Sequence, residues 1–307
     1  MKIRAAVVQA TPAPFDRART LEKLERLAGD AARQGVELAV FPEAFVSGYP
    51  KGLDFGAVVG RRTQEGREHF RRYFDSAIEV PGRDTERMAA VAREHRLHLV
   101  VGAIERDGGT LYCTVLFFAD DGALLGKHRK LMPTAAERLV WGFGDGSTLP
   151  VLDTRLGRIG AVICWENYMP MLRMAMYSKG VQIYCAPTAD DRETWLPTMR
   201  HVALEGRCFV LSACQVLRRS DMPDIPNAIG DAPQTVLMRG GSCIVDPAGK
   251  VLAGPVFDEE AILCAELDLD EIVRGKYDFD VAGHYARPDV FQLSVNERAL
   301  KPVLPER

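Results

Sequence analysis

The 307-residue sequence has no apolar run approaching the roughly 18 residues of a spanning helix, so no membrane span is expected. It has no excess of one charge either. Lys and Arg number 39 against 42 Asp and Glu, a formal net charge of −3, which leaves no basic field to hold a phosphate backbone. Nucleic acid is therefore not expected as a partner. No Cys-x-x-Cys spacing occurs, and the seven cysteines (113, 164, 185, 208, 214, 243, 264) are odd in number, scattered and mostly inside apolar runs. That pattern fits reduced core thiols rather than a disulfide framework. The apolar run at Ile3–Val8 is too short for a signal peptide, so a cytoplasmic location is expected. Gly142-Phe143-Gly144 and Gly240-Gly241 are too short and wrongly placed for a nucleotide fingerprint, and no cofactor is inferred. What is present, 47% hydrophobic and 26% charged residues, is the composition of an ordinary globular protein.

Residues 3–9 read as a buried strand, and Leu21, Leu24, Leu27, Ala28 and Ala31 recur at helical spacing until Gly35 ends the pattern. A second apolar run, 37–41, stops at Pro42-Glu43. The segments 61–75 and 84–96 read as helices, with Asp84 a candidate N-cap, and 97–104 with 111–119 as a hairpin about Asp107-Gly108-Gly109. Strand 158–164, helix 169–179, strand 181–186, helix 193–206 and strand 208–214 follow in βαβαβ order. Hairpins about Asp246-Pro247-Ala248-Gly249 occupy the final third. No Pro-, Gly- or Ser-rich linker divides the chain, so residues 1–307 read as one α/β domain with a short C-terminal tail from about 275.

Three strands end in polar or reactive residues, at Phe41-Pro42-Glu43, Ile163-Cys164-Trp165-Glu166 and Ala186-Pro187-Thr188. Ligand sites in open α/β sheets gather at such carboxyl ends, so the three endings are expected to converge. Cys164 stands at a strand-to-helix turn, where helix amides favour a thiolate. Read singly, it is as well explained as a buried core thiol. Glu43 is a candidate general base if shielded from water, and otherwise a cap or surface acid. Lys130 lies in Lys127-His128-Arg129-Lys130, which reads equally as a solvated basic loop. His95 and His98 resemble a metal pair without a third ligand, and both are expected on a solvated helix.

Taken together, Phe41-Pro42-Glu43-Ala44-Phe45, His128-Arg129-Lys130-Leu131-Met132-Pro133-Thr134 and Cys164-Trp165-Glu166-Asn167-Tyr168-Met169-Pro170 resemble the three signatures of the nitrilase branch of the carbon–nitrogen hydrolase superfamily. The likeness extends to Ser47–Gly52, Glu137-Arg138, Trp141–Gly146, Leu204–Val210 and Gly283–Asp289. The three signatures stand in the expected order, and the resemblance as a whole covers nearly the whole chain. The Cys-Trp-Glu-Asn form resembles true nitrilases, whereas amidase and carbamoylase relatives usually carry other residues after the cysteine.

The resemblance implies a four-layer α-β-β-α sandwich, with Cys164 as nucleophile, Glu43 as general base and Lys130 as stabiliser of charged intermediates. Glu137 matches a second family glutamate that holds Lys130; its plainer reading is a surface acid beside Arg138. Tyr49, Trp165 and Thr188 are candidate substrate contacts through their nearness to the signatures. The implied reaction takes an organic nitrile to its acid and ammonia through a cysteine thioimidate and a thioester, without metal or cofactor. A homodimer or larger homo-oligomer is implied as well, with extended filaments doubted because the sequence ends soon after Tyr285. An amidase or carbamoylase of the same superfamily and a non-catalytic assembly subunit are the alternatives. A papain-like site would need one of the six histidines beside Cys164.

Overall fold

The computed structural model describes residues 1–300 and 303. Its first half runs β1 (Lys2–Gln9), α1 (Arg17–Arg33), β2 (Leu38–Val40), a small ribbon of β3 (Ala57–Val58) and β4 (Arg61–Arg62), then α2 (Gln64–Ser76) and α3 (Arg83–His95). Strands β5 (His98–Asp107), β6 (Thr110–Phe118) and β7 (Leu124–Arg129) complete it. The second half runs β8 (Val151–Thr154), β9 (Gly157–Ala161), α4 (Pro170–Ser178), β10 (Ile183–Cys185), α5 (Trp195–Gly206), β11 (Phe209–Ser212) and β12 (Val216–Arg218). Strands β13 (Val236–Val245), β14 (Val251–Phe257), β15 (Ala261–Asp268) and helix α6 (Asp270–Asp278) follow.

Two mixed sheets result. The first has the order β15-β1-β2-β5-β6-β7, parallel through β1-β2-β5 and antiparallel elsewhere. In the second, the order is β12-β13-β11-β10-β9-β8, parallel through β9-β10-β11, with β14 pairing β13. Strand alternation decides what each face buries. In β1, Ile3, Ala5 and Val7 enter a core shared with Ile159, Ile183 and Phe209 of the other sheet, while Ala6 and Val8 pack under Leu21, Leu24 and Leu27 of α1. On the far side, Leu172, Met176, Met199 and Val202 of α4 and α5 cover Tyr184 and Val210. The layers are thus helix, sheet, sheet, helix, the α-β-β-α sandwich that the resemblance implies. Each fully buried Leu or Val in them contributes about 1.5–3 kcal/mol.

Local signals account for most elements. Asp16 caps α1 by accepting from Arg19 N at 3.1 Å, and Gly35, at φ +76°, turns the chain away after its last turn. Helix α3 begins one residue before Asp84. Its cap is Gly82, tied to the Thr85 hydroxyl at 2.9 Å, and Asp84 instead sits in the first turn, 3.5 Å from Arg17. Residues 61–62 belong to the ribbon rather than to α2. His98 lies buried in β5, paired parallel with Leu38, and not on a solvated helix. Strand β7 falls where the basic run suggests a loop, and α6 lies in a segment whose periodicity gives no clear helix. Among the described residues no helix is long and apolar enough to cross a membrane, and no cluster of His, Cys, Asp and Glu has a metal-holding geometry.

Candidate active site

Glu43 leaves the end of β2 and is fully buried. Its loop lies hard against β5 because position 102 is glycine: a Cβ there would stand 2.1 Å from Pro42 O and 2.8 Å from Glu43 Cα. Lys130 follows the last residue of β7, where its N–H donates to Cys113 O at 2.8 Å. Lys130 is only 1% exposed. The ammonium donates to Glu43 Oε1 and to Glu137 Oε2, both at 2.7 Å.

Glu137 stands on a short 3-10 turn, Ala135–Leu139. Oε2 also accepts from Thr134 N at 2.6 Å, and Oε1 accepts from the Tyr49 hydroxyl at 2.6 Å. Arg138 is not its partner; that guanidinium donates to Ala135 O. The remaining members of the basic run are likewise paired rather than solvated. Lys127 and Arg129 bind the buried Glu105, and His128 binds Glu166.

Cys164 comes three residues after β9 ends and opens a 3-10 turn, Cys164–Tyr168, at φ +50°, a left-handed conformation uncommon for a residue with a Cβ. The turn is fastened on every side. Cys164 N donates to Pro187 O at 2.9 Å, Asn167 Nδ2 donates to Cys164 O at 2.7 Å, and the Thr188 hydroxyl donates to the Cys164 sulfur at 3.2 Å. The endings at Glu43, Cys164 and Thr188 therefore meet between the two sheets. Gln215 adds a tie by donating to Glu43 O at 2.7 Å.

Burial sets the electrostatics. It raises the Glu43 carboxyl above its ordinary range, with Lys130 opposing and Glu137 reinforcing the shift. Burial also works against the charge on Lys130, yet Glu43, Cys164 and Glu137 outweigh it and hold the ammonium well above its usual range. The Cys164 thiol is pushed up by burial and by Glu43, so helix amides do not make it a resting thiolate. The site thus holds a protonated thiol together with a carboxylate of raised proton affinity, a pairing suited to acid–base chemistry at sulfur.

A cavity of about 250 Å³ opens onto Cys164, Glu137, Tyr49 and Trp165, with Asp190 and Arg192 at its wall. Trp165 is 40% exposed; its indole donates to Asp190 Oδ2 at 2.8 Å, and the Arg192 guanidinium lies 4.6 Å over its ring. Thr188 does not line the cavity. Asp190 and Arg192 are not among the sequence candidates; their signal is the run of polar residues just beyond the Thr188 strand ending. A larger groove of about 710 Å³ beside α1 contains none of these groups.

A nitrilase of Bradyrhizobium diazoefficiens is 62% identical over 98% of this chain and 94% of its own length. A bifunctional nitrilase/nitrile hydratase of Nicotiana tabacum is 57% identical over 98% of this chain and 88% of its own. Among solved structures, Nit3 of Saccharomyces cerevisiae, a member of branch 10 of the nitrilase superfamily, superposes with a TM-score of 0.73 at 25% identity, covering 92% of this chain and 96% of that one. The pattern that defines the carbon-nitrogen hydrolases matches residues 4–277, and the chain belongs to that family.

Proposed function

We propose that the chain is a nitrilase, hydrolysing an organic nitrile to the carboxylic acid and ammonia. The observation that carries this reading is the Lys130 ammonium held 2.7 Å from both Glu43 and Glu137 beside the cavity onto which Cys164 opens. Similarity to a bacterial nitrilase and to a tobacco nitrilase/nitrile hydratase favours a nitrile over an amide.

In this reading Glu43 takes the Cys164 proton as sulfur adds to the nitrile carbon, and the proton passes to nitrogen to give a thioimidate. Lys130 stabilises the negative charge that builds on nitrogen during the addition. Water, deprotonated by Glu43, then adds to the thioimidate carbon, and the tetrahedral adduct expels ammonia to leave a thioester. A second water releases the acid and restores the thiol, so one nitrile and two waters give one acid and one ammonia. If the adduct expels sulfur instead of ammonia, one water is consumed and the amide leaves. Glu137 positions Lys130, Tyr49 positions Glu137, and Trp165 contacts the substrate. Assembly into a homodimer or larger homo-oligomer belongs to the same reading. Val273 and Tyr277, exposed on α6, are apolar surface available for it, and light scattering should show no lone monomer.

The test is a nitrile panel scored for ammonia, acid and amide, with Cys164→Ala as the control. Turnover of nitriles that the variant loses supports the proposal. Faster turnover of amides than of nitriles, or full activity in the variant, would overturn it.

A further inference from the structure

One buried group touches two members of the proposed catalytic set and takes no part in the steps above. Cys113 lies on β6, where Leu111, Cys113, Val115 and Phe117 alternate into the core between the sheets. Of these four, only Cys113 carries a proton it can give. Its thiol lies 3.5 Å from Glu43 Oε1, and its carbonyl accepts the Lys130 N–H at 2.8 Å.

Glu43 Oε1 thus has two donors, Lys130 and Cys113. Oε2 is buried and has no hydrogen-bond partner among the described residues. We propose that Cys113 is a positioning residue that sets the basicity of Glu43, its thiol steadying Oε1 as a weak donor and leaving Oε2 free to receive a proton. The proposal rests on the reading of Glu43 as the general base.

The choice of sulfur follows from donor strength. A hydroxyl at this point would stabilise the carboxylate more and weaken it as a base; a methyl would give it nothing. Burial and the neighbouring Glu43 push the Cys113 thiol well above its ordinary range, so it stays protonated and donates. The other titratable groups around Glu43 are Lys130 after β7, Glu137 on its 3-10 turn, Cys164 on the nucleophile turn, Tyr49 on the following loop, Tyr73 on α2 and Cys214 after β11. Of these, Lys130 also donates to Oε1, and the Cys164 thiol is hydrogen-bonded to the same carboxyl group. Cys113 does not line the cavity, so its thiol acts on Glu43 and not on substrate directly.

The experiment compares Cys113→Ser and Cys113→Ala with the unaltered protein in two pH series. One follows kcat/KM for a neutral nitrile; the other follows alkylation of Cys164 by iodoacetamide, read on the Cys164 peptide by mass spectrometry. Activity rises with pH as Glu43 loses its proton. Serine should therefore move that acid limb down by about half a pH unit or more, and alanine should move it up by a similar amount. Loss of packing alone would lower the rate or the melting temperature without moving the limb in opposite directions. Limbs that coincide, or that move the same way in both variants, would overturn the inference. If no nitrile is turned over but the alkylation limbs still separate, the role of Cys113 stands and the nitrile reading falls.

Discussion

The Glu166 carboxylate accepts from His128 Nε2 at 2.9 Å, and both side chains are fully buried. Glu166 Oε2 also accepts from Ile163 N at 2.8 Å, and Oε1 accepts from Leu131 N at 2.6 Å. One carboxylate therefore ties the residue before Cys164 to the residue after Lys130. Those two backbones come from different sheets, and their separation fixes how the ammonium faces the thiol.

Glu166→Gln should be strongly destabilising, because an amide nitrogen would face one of those N–H donors. A buried polar network broken at one member costs roughly 2–5 kcal/mol, and urea denaturation would read it. A loss below about 0.5 kcal/mol would show that the tie is dispensable.

His128 is held above its ordinary range: burial opposes its charge, but Glu166 and the Thr148 carbonyl outweigh burial. A raised folded value means that the stabilisation is fully present below the unfolded value near 6.5 and fades as pH rises through the folded one. His128→Gln should accordingly cost more stability at pH 6 than at pH 9. An equal cost at both would indicate a neutral imidazole throughout.

Lys130→Met should abolish nitrile turnover and leave the buried Glu43 beside the partly buried Glu137 without a cation between them. Unpairing buried charge in this way costs about 3–5 kcal/mol. Without the opposing cation, Glu43 would hold its proton still more tightly in the folded state, so this variant should gain stability as pH falls from 8 towards 5, as measured by thermal melting across that range. Melting that worsens on acidification would contradict the pairing.

Tyr49→Phe distinguishes two roles for one residue. If the hydroxyl serves Glu137, kcat should drop roughly tenfold with KM little changed, the worth of one hydrogen bond to a charged group. A rise in KM alone would make Tyr49 a substrate contact.

Gly102→Ala should displace the Glu43 loop, since its Cβ would meet Pro42 O at 2.1 Å. Overpacking of this kind costs about 1–3 kcal/mol, whereas a catalytic group moved by an ångström loses on the order of a hundredfold in rate. Kinetic loss should thus exceed what the melting temperature suggests.

The Leu21, Leu24, Leu27, Ala28, Ala31 stripe, the alternating face of β1 and the hairpin of β5 and β6 were legible in the linear order, because each depends on neighbours a few residues away. The strand endings at Glu43, Cys164 and Thr188 were legible too, as polar residues breaking apolar runs. Other features depended on groups distant in the chain. Nothing near Lys127-His128-Arg129-Lys130 reveals that Glu105, Glu166, Glu43 and Glu137 neutralise it, so an edge strand with paired charges reads as a solvated loop. Nor does the sequence near Cys113 show that its thiol faces a carboxylate from 70 positions away. Periodicity is local and survives in the sequence; burial and charge pairing exist only once the two sheets close, and closure alone decided how strongly Glu43, Lys130 and Cys164 hold their protons.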